Sequence, residues 1–475
     1  MLAKLKPFLL HPFLPILAAT LFIYSPLLSI PFRDSDQVVY FANTGPQHSL
    51  IDGLKQYDYS ASRLYWKGDD MLFRPLLFVL QAFETYIFSY HYIFWNALNI
   101  LLHLLVLFVF YNLLLRISPE KNFAALFCAL FAFSKAPVGL VANTHLGGYL
   151  AGFALYLGTL TFFYSSIKNA GADNSSACLY GILGTFTVFF YELTLPYLMA
   201  ASFFWVLKKR GKMSPQTLFW LLLPLISYIS LYAFHLMRVQ RPFYASSVDT
   251  PSILAIQNFI SVPENMWYMT KEFLRDIFPN PRIFKILFAG TTLGLFYPGL
   301  LWKPSLGLIQ KVYPLLILFF YTGALALLRA TFWRDYYPYF FHLFLALAFY
   351  SWISFPKLTS GRRKIISIIM LLLITWNAAS VWQYYRQIGE GYFPIHHYFN
   401  RLNHFVDAHR GEPGFSFQIL KTDKELDPPY ELKEGYPDGS EEVFTKTASE
   451  ILYSRYYTTE SPKYRLQWRE GDFSI

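Results

Sequence analysis

The stretch YIFWNALNILLHLLVLFVFYNLLL, Tyr92 to Leu115, decides the fold. It carries no Asp, Glu, Lys or Arg and exceeds the roughly 20 apolar residues a helix needs to cross the hydrocarbon core of a bilayer. Three of its polar positions, Asn96, Asn99 and His103, are three and four residues apart and so share one helix face. Polar groups on one face of a span point into a bundle, either as glue between helices or as the lining of a site.

Outward from this stretch the same ruler gives about eleven spans. The first lies near Phe8 to Ile30, and the next after Tyr92–Leu115 fall near 123–141, 149–167, 177–191, 194–207 and 216–236. The last four lie near 283–302, 312–329, 336–355 and 365–382. The pair at 177–207 is short and split by Tyr191-Glu192-Leu193-Thr194-Leu195-Pro196, which suits half-length helices meeting at a cavity. The expected class is an all-α polytopic membrane protein: a membrane module over 1–382 and a polar extracytoplasmic tail or small domain over 383–475.

Composition agrees. The chain has 475 residues, 55% hydrophobic, 20% aromatic and only 15% charged, whereas soluble domains average about 25% charged. Its formal charge of +10 gathers in short turns, so it reads as topology and not as a nucleic-acid surface. With the N-terminus inside, the inner turns hold Arg116 and Lys121, Lys168, Lys208-Lys209-Arg210, Lys303 and Lys311, and Arg362-Arg363-Lys364. The turns at 142–148 and 191–194 hold no Lys or Arg. This orientation places the loops 31–91 and 237–282 and the tail outside. Cys128 and Cys178 both sit in apolar runs, which argues against a disulfide framework or thiolate metal site. The semi-apolar Met71–Ser89 stretch contains Arg74, Pro75 and Glu84, and a helix along the interface suits it better than a span.

The first outside loop opens with Pro31-Phe32-Arg33-Asp34-Ser35-Asp36 and reaches Asn43 seven residues later. The two acids either cap a short helix beginning at Gln37 or supply a general base or phosphate-bound cation ligand at the membrane face. Gly68-Asp69-Asp70 and Phe73-Arg74-Pro75-Leu76 follow, then His91 ahead of Asn96, Asn99 and His103.

Read in this order, these pieces resemble the N-terminal half of membrane glycosyltransferases of the C superfamily. They look most like protein O-mannosyltransferases of the tetratricopeptide-bearing transmembrane kind and their bacterial relatives. Asn143-Thr144-His145-Leu146-Gly147-Gly148-Tyr149-Leu150-Ala151 sits where those proteins carry a short polar outside turn, and Tyr191-Glu192-Leu193-Thr194-Leu195-Pro196 is similar to their Lys-Glu-x-x-x-x-Leu-Pro turn. The segment from Arg329 through Arg334 and Tyr337 to Tyr339 is similar to their late Arg-x-Leu-Tyr-Leu-Pro segment. Two departures stand out: the family's adjacent acids are here Asp34-Ser35-Asp36, and the chain has no tetratricopeptide repeats.

The resemblance implies transfer of a sugar from a polyprenyl-phosphate-linked donor to an acceptor hydroxyl at the outer face, with inversion. Asp36 is the expected base and Asp34 its runner-up. Arg329, Arg334, Arg74 and Arg241 are the expected donor-phosphate ligands, since a guanidinium matches phosphate bidentately. Asn43, His91, Asn96, Asn99, His103, His145, Glu192 and Tyr337 are the expected lining. Asp69 and Asp70, joined by Glu192, are the expected ligands if a divalent cation (Mg or Mn) takes part. The expected partners are the lipid-linked donor, a protein, glycan or lipid acceptor and membrane lipids; the expected location is a bacterial inner membrane. A noncatalytic subunit on the same scaffold, a lipid-linked glycan polymerase or ligase, and a transporter remain as alternatives.

Overall fold

The computed structural model describes residues 11–29, 50–51, 74–88, 92–143, 146–168, 174–209, 213–239, 313–318, 337–353, 361 and 364–386, with three short strands in the tail. Helix α1 is Phe13–Tyr24, continued as a 3-10 turn over Ser25–Ser29. Then come α2 (Pro75–Phe88), α3 (Tyr92–Ile117), α4 (Lys121–Ala132), α5 (Ala136–Val141) and α6 (Gly147–Lys168). They are followed by α7 (Asn174–Phe190), α8 (Leu195–Lys209), α9 (Pro215–Val239), α10 (Tyr337–Ile353) and α11 (Lys364–Arg386).

Three described helices are long and apolar enough to cross a membrane: α3, the Pro215–Phe234 part of α9, and α11. Their outward surfaces are apolar. Leu101, Leu105 and Phe108 stand exposed on α3, and Ile365, Ile368, Leu372 and Trp376 on α11, a pattern that water does not tolerate over such an area but lipid does. In hydrocarbon a helix satisfies its own backbone, which is why such runs fold this way. Helix α2 has 14 residues, about 21 Å at 1.5 Å per residue. That is short of the roughly 30 Å core, in keeping with an interfacial helix.

Two expectations are revised. The single span at 123–141 is instead two helices, α4 and α5, separated at Phe133–Lys135. Pro137 explains the break: it has no N–H to give the carbonyl four residues back, that of Phe133, and its ring clashes there. Ser134 Oγ instead donates to the Phe131 carbonyl at 2.9 Å. The all-α class holds for the described membrane module, but the tail contributes a small sheet of order β2-β1-β3: β1 (Gln418–Lys421), β2 (Gln467–Arg469) and β3 (Phe473–Ser474). Strand β1 pairs parallel to β2, with Ile419 opposite Trp468, and antiparallel to β3, with Lys421 opposite Phe473. Ile419, Trp468 and Phe473 are of the β-branched and aromatic types that favour strand. The expected span at 283–302 and nearly all of 312–329 lie outside the described residues.

Helix α6 packs against α3 and α7, and α7 against α9. The approach of α7 to α9 is close because α7 is glycine there. A Cβ at Gly181 would run into the Trp220 carbonyl, and one at Gly184 would lie 2.9 Å from Pro224 Cγ. At the N-terminal ends of these two helices, Asn174 joins them: its Oδ1 accepts from Ser214 Oγ at 3.3 Å and from Thr217 Oγ1, and its Nδ2 donates to Gln216 at 3.2 Å. Ser214 in turn caps α9, accepting the Thr217 N–H at 3.1 Å ahead of Pro215 at the first helical position.

Gly158 meets only Leu183 at 3.8 Å. Substituting Gly181→Ala is therefore expected to lower the detergent melting temperature, at an overpacking cost of about 1–3 kcal/mol, while Gly158→Ala leaves it nearly unchanged. Parallel thermal unfolding of the two variants checks this.

Candidate functional site

Alternating chain direction brings the C-terminal end of α1, the N-terminal ends of α3 and α6 and the C-terminal ends of α5 and α7 to one end of the bundle. Contacts there show it directly. Asn96 Nδ2 donates to the Leu27 carbonyl at 2.8 Å, and Asn99 Nδ2 to the carbonyls of Val141 at 3.2 Å and Asn143 at 2.7 Å. Deeper along the same face, His103 Nδ1 lies 2.9 Å from Tyr339 Oη. Asn96, Asn99 and His103 thus share a buried face, as their spacing predicts, and each ties α3 to a different element.

At the centre of this end stands Arg74, immediately before α2. It is 6% exposed. Its Nε and Nη2 donate to Glu192 Oε2 and Oε1 at 2.5 and 2.6 Å, and Nη1 donates to Tyr149 Oη. Its guanidinium also lies 5.2 Å from the Tyr149 ring centroid and 5.3 Å from that of Tyr191. Each partner is placed by local sequence. Tyr149 sits in the first turn of α6, and Tyr191 takes an extended conformation that ends α7. Glu192 opens a one-turn 3-10 helix stopped at Thr194, where Leu195 and Pro196 start α8.

Three of the quoted segments therefore meet: Phe73-Arg74-Pro75-Leu76, the turn running into Tyr149, and Tyr191–Pro196. A bidentate guanidinium–carboxylate pair between two aromatic faces is strongly directional. Both Glu192 oxygens face Arg74, so Glu192 does not fit the cation-ligand role, and a cation there would confront the guanidinium. Among the described residues no three His, Cys, Asp or Glu side chains come together.

Helix α2 lies across the start of α6. A Cβ on Gly148 would collide with Leu77, and one on Gly147 would fall 2.6 Å from Asn99 Oδ1 and 3.1 Å from Glu84 Oε1. Positions 147, 148 and 149 of α6 thus take up Glu84, Leu77 and Arg74 of the α2 segment. Glu84 is 1% exposed, and among the described residues neither oxygen of its carboxyl has a hydrogen-bond partner. Burial pushes its carboxyl well above the usual carboxylate range.

Of the other expected site residues, Asp34, Asp36, Asn43, Asp69, Asp70, His91, His145, Arg241, Arg329 and Arg334 lie outside the described residues, and Tyr337 is described only as the first residue of α10. Tyr149, Tyr191 and Glu84, named above only within their segments, are not among the expected site residues. An ionisable group in an apolar amphipathic run, as Glu84 is, was the available signal.

The geometry is that of a helical membrane protein with a polar cluster at one end of its bundle. No family model, curated protein or solved structure matches the chain.

Removing one member of a buried pair strands a charge, at about 3–5 kcal/mol. Arg74→Met and Glu192→Leu are each expected to lower the melting temperature sharply, and the double variant to recover much of the loss. A thermal double-mutant cycle measures this coupling.

Proposed function

We propose that the chain is a membrane glycosyltransferase of the C superfamily, with about eleven spans and an inside N-terminus, moving a sugar from a polyprenyl-phosphate donor to an acceptor hydroxyl at the outer face of a bacterial inner membrane. The observation that carries this reading is the meeting of sequence-distant segments at one end of the bundle. Arg74, Asn96 with Asn99, Tyr149 and Glu192 come from four separate stretches that share the order of the family's motifs, and they gather where the first loop ends at Arg74. Positive-inside charge assigns that end to the outer face.

The physical demands of the reaction fit such a place. A polyprenyl donor keeps its tail in lipid while its phosphate sits at the interface. An inverting transfer needs one base to take the acceptor proton as the hydroxyl attacks the anomeric carbon. Asp36 takes this role in our reading, with Asp34 second; Arg329 and Arg334 receive the leaving phosphate. Arg74, already held by Glu192, organises the end of the first loop and meets the donor only by exchanging that partner.

The test is transfer by purified protein from a panel of radiolabelled polyprenyl-phosphate sugars. Wild type is expected to turn over at least one donor, and Asp36→Ala to lose about 10²–10⁴ of that rate while its melting temperature is kept. Full activity in both Asp36→Ala and Asp34→Ala removes the carboxylate mechanism. No turnover of any donor by wild type favours a noncatalytic subunit, whose expected mark is the split acid pair Asp34-Ser35-Asp36.

A further inference from the structure

A buried carboxyl group without a partner is costly, because it gives up water and gains no hydrogen bond in return. Glu84 is in that position, 1% exposed and unpartnered at both oxygens among the described residues. Its surroundings are specific. Oε1 lies against Gly147, the first residue of the 22-residue helix α6, close enough that a Cβ would sit 3.1 Å away. Asn99 Oδ1 approaches the same point to 2.6 Å. The Asn99 amide cannot turn over without loss, because its Nδ2 is spent on the carbonyls of Val141 and Asn143. Its oxygen therefore faces Gly147 as an acceptor beside the carboxyl group.

Two acceptor oxygens thus converge on a helix end where glycine alone leaves room. The helix end decides what they take. First-turn N–H groups and the positive end of the dipole disfavour a metal cation and favour a group that both donates and accepts. A hydroxyl does both: it donates a hydrogen bond to Asn99 Oδ1 or the carbonyl oxygen of the Glu84 carboxyl, and accepts one from the helix end or from the carboxyl O–H. Water would serve equally, but a shielded acceptor distinguishes ligands far more strongly than an exposed one, since an analogue lacking the hydroxyl leaves it unpaired.

We propose that Glu84 and Asn99, seated on Gly147, form a subsite that reads a sugar hydroxyl, on either the donor sugar or the acceptor. This deepens the glycosyltransferase reading and rests on it. Glu84 is here a specificity residue with no part in the bond-forming step.

The experiment compares wild type, Glu84→Gln and Glu84→Leu with two substrate series: monodeoxy analogues of the accepted polyprenyl-phosphate sugar, and monodeoxy alkyl-glycoside acceptors. In wild type, one analogue in one series is expected to lose at least about tenfold in kcat/KM, and Glu84→Leu to erase that loss; the series in which it occurs identifies the source of the hydroxyl. Glu84→Gln keeps the shape and is expected to raise KM for the natural substrate more than it lowers kcat. Without any substrate, Glu84→Leu is expected to melt higher than wild type, because a stranded carboxyl is gone. Unchanged discrimination in Glu84→Leu, or a lower unliganded melting temperature, overturns the subsite while leaving the transferase standing. Absence of turnover by wild type removes the transferase, and the sugar subsite with it.

Discussion

The ion pair between Arg74 and Glu192 joins two parts of the chain that lie 118 positions apart. Arg74 ends the first loop and starts α2; Glu192 is the hinge between α7 and α8. A guanidinium removed from water demands a carboxylate, and here it also has two aromatic faces and a phenol. Because the fork is planar, the pair fixes orientation as well as distance, and α2 is held across the start of α6. The glycine pair Gly147-Gly148 makes that crossing sterically open. Charge and small side chains thus solve one problem together.

The packing elsewhere follows from interruptions. Pro137 stops α4, Pro196 lies in the first turn of α8, and Pro215 and Pro224 mark the start and interior of α9. In lipid a broken helix exposes backbone that must be satisfied locally. Ser134 does this at the α4 break, and Tyr24 Oη donates to the Ala132 carbonyl at 3.1 Å beside it. The α4 break lies close to the buried His103 and Tyr339 contact, since the Phe131 ring packs on both.

What the sequence made legible follows from the strength of each signal. Helices α3, α6, α9, α10 and α11 fall within a few residues of their hydropathy limits, because twenty apolar residues without charge have few other ways to fold. The α4–α5 break was missed because hydropathy ignores the lost N–H of Pro137. The shared face of Asn96, Asn99 and His103 was legible from spacing alone. The partnership of Arg74 with Glu192 was not: each was assigned a separate role, and no periodicity links residues 118 positions apart. Opposite charges beside prolines at two turns of one membrane face were the only hint.

The two ends of the bundle treat their polar groups differently. At the N-terminal ends of α7 and α9, Asn174, Ser214, Gln216 and Thr217 satisfy one another around a helix cap, an arrangement that needs nothing further and reads as structure. At the opposite end Arg74 and Glu192 satisfy each other, yet Glu84, within the same crossing of α2 and α6, has two oxygens without a partner among the described residues. Selection for stability alone replaces such a group with an apolar residue such as Leu, which α2 already carries at Leu76, Leu77 and Leu80. In the subsite proposed above, the Arg74–Glu192 pair sets the geometry and the Glu84 carboxyl supplies the unmet hydrogen-bonding demand that a ligand fills.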